Sequence, residues 1–341
     1  MTSSEILFFD TDEITENFFK KHAFGGRKSL FLPYDINDAR TLSLKDLDKV
    51  EIISLFAHAQ NVRNDVLDRF DRLKMITTRS TGFNHLDLDY LRARGIVLCN
   101  VPHYGETTVA EFTIGVMIAL CRKIMLAKSQ MKANNVHMDK YIGFDLKGRT
   151  LGVIGTGAIG SAVIRLARAF GMEITAFDPY PSEVLKKEGI RYTDDLNDLF
   201  ATADIITLHC PATSENKHLL NKDAFEQMKD GVLIVNTARG SLIDTEALYN
   251  ALQSGKAGGA ALDVLENEDV LTHREIALDT ATKNHDFFID SILNFKLLQS
   301  EKTIITPHIA FNSSDALARI LQQTADNINA FISGKPKNVV A

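Results

Sequence analysis

Secreted, metal-binding and membrane-spanning proteins carry features that are scarce in this 341-residue sequence. It has three cysteines, an odd number, and none forms a C-x-x-C pair, so we expect neither a disulfide framework nor a structural zinc site. It has no run of about 18 apolar residues that could span a membrane. The N-terminal segment MTSSEILFFDTDEITENFF lacks the basic region of a signal peptide. These absences predict a cytoplasmic protein without a membrane partner.

Basic charge is also scarce. Lysine and arginine number 38 against 44 acidic residues, the net charge is −6, and no basic cluster occurs, so nucleic acid is not an expected partner. The ten histidines are scattered without the spacing of metal ligands, so no metal is expected. Hydrophobic residues make up 45% of the chain, as in globular proteins, and the length suffices for two domains.

Short apolar segments alternate with helix-like segments along the chain. Buried parallel strands have this pattern, because each is bounded by turn residues or charges and is followed by a crossover helix. The predicted fold class is therefore α/β with parallel sheets. A first series of strands is predicted at 6–9, 30–32, 52–56, 75–78 and 96–99, and a second at 151–154, 173–177, 205–209, 232–236, 259–263 and 303–306.

Two helices have recognisable ends. In the helix predicted over 108–126, Thr108 and Glu111 have the spacing of a capping box, whose side chains bond to free backbone amides. The apolar residues that follow cover more than one face, which predicts burial against another element or a second subunit. The last predicted helix, 313–333, ends before Gly334.

The predicted strand 151–154 continues into Gly155-Thr156-Gly157-Ala158-Ile159-Gly160, and a helix-like segment follows. This is the arrangement of a dinucleotide-binding loop. Gly155 permits the tight turn, Gly157 lets the backbone approach the pyrophosphate, and Gly160 lets helix and strand pack closely. The phosphates then lie where Ala158 and Ile159 begin the helix, because free N–H groups and the helix dipole favour negative charge there.

Asp178 ends the next predicted strand, 23 residues after Gly155. Its carboxylate is placed to accept hydrogen bonds from the adenosine ribose and would repel a 2′-phosphate, so NAD is expected rather than NADP. The alternative is a glycine turn beside a surface aspartate. A complete α/β segment precedes the loop, so the cofactor domain is either inserted into a substrate domain or follows it.

Three residues near strand ends have the chemistry that reduction of a 2-keto acid requires. Arg239 could bind the carboxylate and polarise the carbonyl, and His308 could protonate the developing alkoxide. Glu268 could favour the charged form of that histidine. Ligands of open α/β sheets bind beyond the carboxyl ends of strands, so the three could converge. The alternatives are a surface charge for Arg239, a solvated acid for Glu268 and a hydrogen-bonded loop residue for His308.

These motifs resemble those of the D-isomer-specific 2-hydroxyacid dehydrogenases. The similarity runs from about residue 74 to 313, and several independent stretches match in the family's order. The matching stretches are RSTGFNHLD (79–87), NVPHY (100–104) with VAE (109–111), GVIGTGAIG (152–160), HCP (209–211), NTARG (236–240), ALDVLENE (261–268) and TPHIA (306–310).

The resemblance implies two doubly wound parallel-sheet domains. A Rossmann-type NAD domain, residues 104–308, is expected to be inserted into a flavodoxin-like substrate domain made of residues 1–103 and 309–341. The resemblance also implies a triad in which Arg239 holds the keto acid, His308 transfers the proton and Glu268 pairs with His308.

Further site residues follow from the resemblance alone. The backbone amides of Thr81 and Gly82 are expected to hold the substrate carboxylate. The residues expected along the nicotinamide half of the cofactor are Val109, His209, Cys210, Pro211, Thr237 and Asp263.

The region around Tyr104 is most similar to the fermentative D-lactate branch of the family, which implies reduction of pyruvate to D-lactate by NADH. Phe56, Tyr104 and Phe311 would wall a small pocket that suits a small or apolar group and does not suit a phosphate. The alternative for Phe56 and Phe311 is plain core. His103 departs from the branch, since a small or apolar residue usually precedes the tyrosine.

Other interpretations stay open. The substrate could be another 2-keto acid, such as hydroxypyruvate, glyoxylate or phenylpyruvate, or the chain could be an NAD-sensing binding protein like the corepressors of this family. The 40 residues from Glu268 to His308 form a longer gap than the family leads us to expect, with no assignable motif. We expect a homodimer, with a tetramer as the alternative.

Overall fold

The structure, a computed structural model, describes residues 5–56, 61–132, 136–267 and 285–341. Packing divides the chain into two compact units. Unit 1 contains Met1–Tyr104 and Ser313–Ala341, and unit 2 contains Gly105–Asn312.

The observed division differs slightly from the expected domain boundaries after residues 103 and 308. Residues 309–312 lie in unit 2, because the Ile309 and Ala310 N–H groups donate to the Asp263 carboxylate. Tyr104 lies in unit 1, where its carbonyl accepts a hydrogen bond from Arg319.

Unit 1 contains a five-stranded parallel sheet with the order β2-β1-β3-β4-β5, which is the flavodoxin-like order. Buried apolar clusters cover both faces of this sheet, which is why its strands are apolar almost throughout. The strands are β1 (Ile6–Phe8), β2 (Ser29–Phe31), β3 (Ile52–Leu55), β4 (Met75–Thr78) and β5 (Val97–Cys99).

The helices of unit 1 are α1 (Glu13–Phe19), α2 (Ala39–Leu42), α3 (Asn64–Leu67), α4 (Leu88–Ala93) and α13 (Ser314–Ile332). The ends predicted for the last helix are confirmed. The Ser313 side chain accepts a hydrogen bond from the Ala316 N–H, and Gly334 follows the helix with φ +76°.

Unit 2 contains a seven-stranded parallel sheet with the order β12-β11-β10-β9-β6-β7-β8. Its first six strands in chain order have the Rossmann arrangement, and β12 extends the sheet beyond it. The strands are β6 (Thr150–Ile154), β7 (Glu173–Phe177), β8 (Arg191–Tyr192), β9 (Ile205–Leu208), β10 (Val232–Asn236), β11 (Ala257–Leu262) and β12 (Thr303–Ile305). Every predicted strand is present, and only the two-residue β8 was not predicted.

The helices of unit 2 are α5 (Glu106–Cys121), α6 (Ile124–Lys132), α7 (Ala158–Ala169), α8 (Glu183–Lys187), α9 (Leu196–Thr202), α10 (Lys222–Gln227), α11 (Thr245–Ser254) and α12 (His285–Leu298). Helix α12 lies in the stretch for which the sequence offered no motif, and its Leu293, Asn294 and Leu297 are buried. Among the described residues, no helix has both the length and the apolar character to cross a membrane.

The prediction of one capped helix over 108–126 is wrong in two respects. The helix begins at Glu106 after Gly105, which makes no side-chain capping bond, so Thr108 lies inside the first turn. It ends at Cys121, because Lys123 adopts a left-handed φ of +51° and separates α5 from α6. The predicted burial is confirmed, since α5 packs against α7, β10 and β11.

Candidate active site

The carboxyl ends of six neighbouring strands in unit 2 are in register. A single row of paired residues crosses the sheet at Phe177, Ile154, Leu208, Asn236, Leu262 and Ile305. The residue after each therefore lies at the same edge of the sheet, which is where ligands of open α/β sheets bind. These following residues are Asp178, Gly155, His209, Thr237, Asp263 and Thr306.

Two glycines of the predicted cofactor loop occupy positions that allow no side chain. Gly155 has φ +92°, and a Cβ there would lie 2.6 Å from the Cys210 nitrogen. A Cβ at Gly160 would lie 2.0 Å from the Gly155 oxygen. At Gly157, in contrast, a Cβ would meet no described atom within 4 Å, so the space beyond this backbone is open to a ligand.

The start of helix α7 can receive a phosphate. Gly157 is the N-cap residue and makes no side-chain capping bond. The N–H groups of Ala158 and Ile159 are in the first turn, where helix geometry offers them no carbonyl partner. Free N–H groups at a helix N-terminus favour an anion, so the tight loop, the open space and this helix end together fit a pyrophosphate.

Asp178 stands beside the same loop. Its Oδ2 accepts hydrogen bonds from the Thr156 N–H at 2.6 Å and the Thr156 hydroxyl at 3.0 Å. Its Oδ1 accepts from the Tyr180 N–H at 2.8 Å. The carboxylate is thus fixed next to the phosphate-binding turn, where the adenosine ribose of a dinucleotide would follow.

His209 presents a buried polar atom at this edge. One ring nitrogen, Nε2, bonds to the Thr207 hydroxyl at 2.9 Å, whereas Nδ1 is buried without a partner among the described residues. Burial lowers the pKa of His209 to about 3, so the ring is neutral at physiological pH. A buried orphan nitrogen is a group that a ligand could satisfy.

The residues after His209 are held by Asn216, whose Nδ2 donates to the Pro211 carbonyl at 2.7 Å. Cys210 lies beside the same amide, and burial raises the pKa of its thiol to about 11. The thiol is therefore protonated and unreactive at neutral pH.

Val109 and Thr237 are joined through a residue that sequence reasoning missed. The Thr113 hydroxyl donates to the Val109 carbonyl at 2.7 Å and lies 2.9 Å from the Thr237 hydroxyl. A hydroxyl has one proton, so Thr237 donates in the second bond. Thr113 thereby ties helix α5 to the loop after β10.

The loop that carries Arg239 is fixed by Asn236, another residue that was not predicted. Asn236 is fully buried; its Nδ2 donates to the Arg239 carbonyl, and its Oδ1 accepts from the Ala238 N–H, both at 2.9 Å. The loop also packs against the segment that follows β11, because a Cβ at Gly240 would lie 2.1 Å from the Leu265 oxygen. The guanidinium itself donates to the Ala238 carbonyl at 2.7 Å.

His308 lies on a loop organised by Asp263. The Asp263 carboxylate accepts from the Thr306 hydroxyl at 2.6 Å and from the Ile309 and Ala310 N–H groups at 2.9 and 2.8 Å. The backbone carbonyl of Asp263 accepts a hydrogen bond from the His308 N–H at 2.9 Å. His308 itself has φ +53°, an unusual conformation for a residue with a side chain. Asp263 therefore holds the His308 loop, a role that its predicted place beside the nicotinamide did not suggest.

Glu268, the third member of the predicted triad, lies outside the described residues. The preceding acid, Glu266, has other partners: His218 Nε2 at 2.7 Å and Lys217 Nζ at 3.4 Å. The Glu266 carbonyl accepts from Asn294 of α12 at 2.8 Å. These contacts fix the chain two residues before Glu268.

Phe311 lies in unit 2 with its ring centroid 6.5 Å from that of His308 in an edge-on arrangement. The other predicted substrate residues belong to unit 1. Thr81 donates its hydroxyl proton to the Val101 carbonyl at 2.9 Å, and the Gly82 carbonyl accepts from Ser80 at 2.6 Å. The Phe56 ring lies 5.4 Å from the buried Arg79 guanidinium carbon. Tyr104 is half-buried, and the preceding His103 is exposed with φ +59°.

Comparisons with known proteins agree with this geometry. Residues 114–310 match the family described as "D-isomer specific 2-hydroxyacid dehydrogenase, NAD binding domain". The chain is 40% identical over 293 residues to the D-lactate dehydrogenase of Escherichia coli (strain K12), covering 85% of this chain and 86% of that protein. It is also 40% identical over 268 residues to an aromatic 2-oxoacid reductase of Clostridium sporogenes (strain ATCC 15579), covering 78% of each chain.

A solved structure is similar over nearly the whole chain. The D-lactate dehydrogenase of Aquifex aeolicus, complexed with NAD and lactic acid, superposes with a TM-score of 0.85 at 35% identity and covers 97% of this chain and 96% of that one. The glycine loop, the open helix end and the fixed aspartate give the chain a site that fits the NAD of this family. The chain therefore belongs to the D-isomer specific 2-hydroxyacid dehydrogenase family and is an NAD-dependent oxidoreductase.

Proposed function

We propose that this protein reduces pyruvate to D-lactate with NADH and oxidises D-lactate in the reverse direction. The observation that carries the proposal is the His308 loop, which Asp263 fixes at the carboxyl edge of the NAD-binding sheet. The loop of Arg239 follows β10 at that same edge. Strand β11 lies between β10 and β12, the strand that precedes the His308 loop. The relatives named D-lactate dehydrogenase support this choice of substrate.

In the proposed reaction, bound NADH supplies the hydride. His308 donates a proton to the carbonyl oxygen as it becomes an alkoxide, and takes the proton back during oxidation. Glu268 pairs with His308 and favours its charged form. Arg239 binds the keto acid and polarises its carbonyl through guanidinium N–H groups other than the one that donates to the Ala238 carbonyl.

The remaining predicted residues receive roles in the same proposal. The backbone amides of Thr81 and Gly82 bind the substrate carboxylate. Phe56, Tyr104 and Phe311 surround the substrate methyl group and favour a small C3 substituent. The cofactor is held by the loop 155–160, by Asp178 and by the residues Val109, His209, Cys210, Pro211, Thr237 and Asp263.

A second candidate is reduction of an aromatic 2-keto acid such as phenylpyruvate. It is favoured by the 40% identity to the aromatic 2-oxoacid reductase of Clostridium sporogenes, which equals the identity to the Escherichia coli D-lactate dehydrogenase. The two candidates share every chemical step and differ only in the room around C3. Glyoxylate and hydroxypyruvate are further alternatives, and a binding protein that senses NAD is the least supported.

The test follows NADH absorbance with the purified protein and a panel of keto acids ranked by kcat/KM. We expect pyruvate to rank first and NAD reduction to occur with D-lactate but not L-lactate. A higher kcat/KM for phenylpyruvate would select the second candidate. Tight NADH binding without turnover of any keto acid would leave the NAD-sensing protein.

We also propose a cytoplasmic homodimer formed through unit 2. Large apolar side chains are exposed after helix α5, with Met138 at 77% and Ile142 at 72% of their full exposure, and exposed apolar surface of this kind is often covered by a partner. The exposed large apolar residues of this segment are Ile124, Met125, Met131, Val136, Met138 and Ile142. Light scattering should give the mass of two chains; a single-chain mass would contradict the proposal, and four chains would indicate the tetramer.

A further inference from the structure

A chain of hydrogen bonds runs across the adenosine end of the cofactor site and ends on the Asp178 carboxylate. The Ser182 N–H donates to the Tyr192 hydroxyl at 3.2 Å, and that hydroxyl donates to the Thr156 hydroxyl at 3.0 Å. The Thr156 hydroxyl in turn donates to Asp178 Oδ2 at 3.0 Å. Each hydroxyl has one proton, so the direction of the chain is determined and both O–H dipoles point toward the carboxylate.

This chain adds to the backbone bonds that fix Asp178. The Thr156 N–H reaches Oδ2 at 2.6 Å and the Tyr180 N–H reaches Oδ1 at 2.8 Å, so both oxygens are held. Bonds to an ionised acceptor are stronger than neutral ones, and successive bonds in a chain polarise one another. Among the described residues, Oδ1 accepts one bond and so keeps a lone pair for a ribose hydroxyl.

We infer that Tyr192 is a positioning residue, acting through Thr156, that strengthens the preference of this protein for NAD over its 2′-phosphorylated form. A fixed, ionised Asp178 accepts a hydrogen bond from the ribose diol and repels a 2′-phosphate in the same place. A carboxylate that lost the Thr156 hydroxyl bond would turn more easily, which weakens the bond to the ribose and relieves the repulsion. The inference rests on the NAD site itself and stands whichever keto acid is the substrate.

The location of Tyr192 explains why its hydroxyl serves this purpose. It lies on β8, the edge strand of the sheet, where its ring packs against the apolar cluster under the cofactor loop. The hydroxyl reaches the turn that contains Thr156, whose side chain is buried with 4% exposed. Phenylalanine would fill the same space, so Tyr192→Phe removes only the two hydrogen bonds of the hydroxyl, the one that it donates to Thr156 and the one that it accepts from the Ser182 N–H.

The test measures dissociation constants of NADH and NADPH by fluorescence titration of the full chain, without substrate. We expect Tyr192→Phe to lower the ratio of the NADPH constant to the NADH constant by about three- to tenfold, the loss of one hydrogen bond to a charged network. Tyr249→Phe makes the same chemical change on helix α11 and should leave the ratio unchanged. Equal weakening of both cofactors in Tyr192→Phe would overturn the inference.

A second pair of variants separates the hydroxyl from the fold. Thr156→Val should lower the ratio of the NADPH to the NADH dissociation constant as Tyr192→Phe does. Thr156→Ser keeps a hydroxyl and should have the ratio of the unmodified protein. In a protein that already carries Asp178→Ala, Tyr192→Phe should have no further effect on the ratio, because the two residues act in series. An unchanged effect in that background would mean that Tyr192 acts on the site by another route, and the inference would be wrong.

Discussion

The carboxyl edges of the two sheets both hold charged side chains, but they hold them differently. In unit 2, Asp263 accepts three hydrogen bonds, from Thr306, Ile309 and Ala310, and thereby organises the loop of His308. In unit 1, the buried Arg79 guanidinium donates to the carbonyls of Phe9 and Asp10. Both charges are buried, but Asp263 organises the loop that carries His308, whereas Arg79 bonds to the carbonyls that follow β1.

The difference shows what a buried charge costs. Asp10 accepts the Phe56 N–H and faces both Arg79 and the Asp35 carboxyl, while its Oδ2 is buried without a partner among the described residues. Burial and the Asp35 charge outweigh the stabilising contacts and raise the pKa of Asp10 to about 6. Burial also lowers the pKa of Arg79 to about 10, which leaves it charged at neutral pH. A parallel sheet can thus carry a charged side chain at its carboxyl edge, but a buried carboxylate is stable there only where enough hydrogen-bond donors reach it.

The largest expected effect is that of removing His308, the proposed proton donor, from the unit 2 edge. We expect His308→Gln to lower kcat by about 10²–10⁴-fold, the usual contribution of a general acid, with little change in the NADH dissociation constant. Stopped-flow or steady-state NADH absorbance with pyruvate gives kcat, and fluorescence titration gives the binding constant. His22→Gln, beyond the end of α1, is the matched control and should retain activity. Near wild-type kcat in His308→Gln would remove His308 from the proposed mechanism.

Asp263→Asn tests whether the loop depends on three donors meeting one carboxylate. An amide has one oxygen, so in either orientation its NH₂ group meets a donor that the carboxylate accepted, at a cost of about 1–3 kcal/mol. We expect the His308 loop to become less well fixed. A cost of that size corresponds to a fall in kcat of about 10- to 100-fold, and the NADH dissociation constant should change much less.

The outcome of Asp263→Asn also decides between two roles for this residue. If Asp263 mainly contacts the nicotinamide, the NADH dissociation constant should rise as much as kcat falls. If it mainly positions the His308 loop, the defect should appear in kcat and in the temperature of unfolding. Asp244→Asn, at the N-cap of α11, removes a charge from unit 2 without touching this loop and serves as the control.

Local sequence patterns predicted most of the fold and the loop that fits the cofactor. The strands were predictable because buried parallel strands are continuously apolar, and the cofactor loop because Gly155 and Gly160 occupy space that only glycine can share. The break at Lys123 was not predictable because no proline or glycine marks it, and β8 was not predictable because a two-residue strand is too short to show an apolar pattern.

The supports of the site residues could not be predicted, because they come from distant parts of the chain. Thr113 meets Thr237 across 124 positions, and Thr306 meets Asp263 across 43. No local pattern contains such pairs, although a buried polar residue directly after an apolar strand, such as Asp263, signals that donors must be present nearby. The sequence therefore indicates candidate site residues more readily than the distant side chains that hold them in place.

Asp10→Asn probes the cost of the buried charge in unit 1, and its effect is on stability alone. With a folded-state pKa near 6 against 3.8 in the unfolded chain, both states are protonated at low pH and Asp10 costs nothing there. As the pH rises through this window the unfolded chain loses its proton first, so the free energy of unfolding falls, and above about pH 6 the whole penalty is present.

Asparagine is neutral and can still accept the Phe56 N–H. We therefore expect Asp10→Asn to stabilise unit 1 by about 1–3 kcal/mol at pH 7.5, measured by urea unfolding of the full chain, and the gain to shrink as the pH is lowered below 6. Asp89→Asn, on the surface of α4 with 95% of its side chain exposed, is the matched control and should show no such gain. A gain that persisted unchanged at pH 4.5 would mean that it does not come from the charge of Asp10. A loss at pH 7.5 would mean that the carboxylate of Asp10 stabilises the unit 1 edge after all.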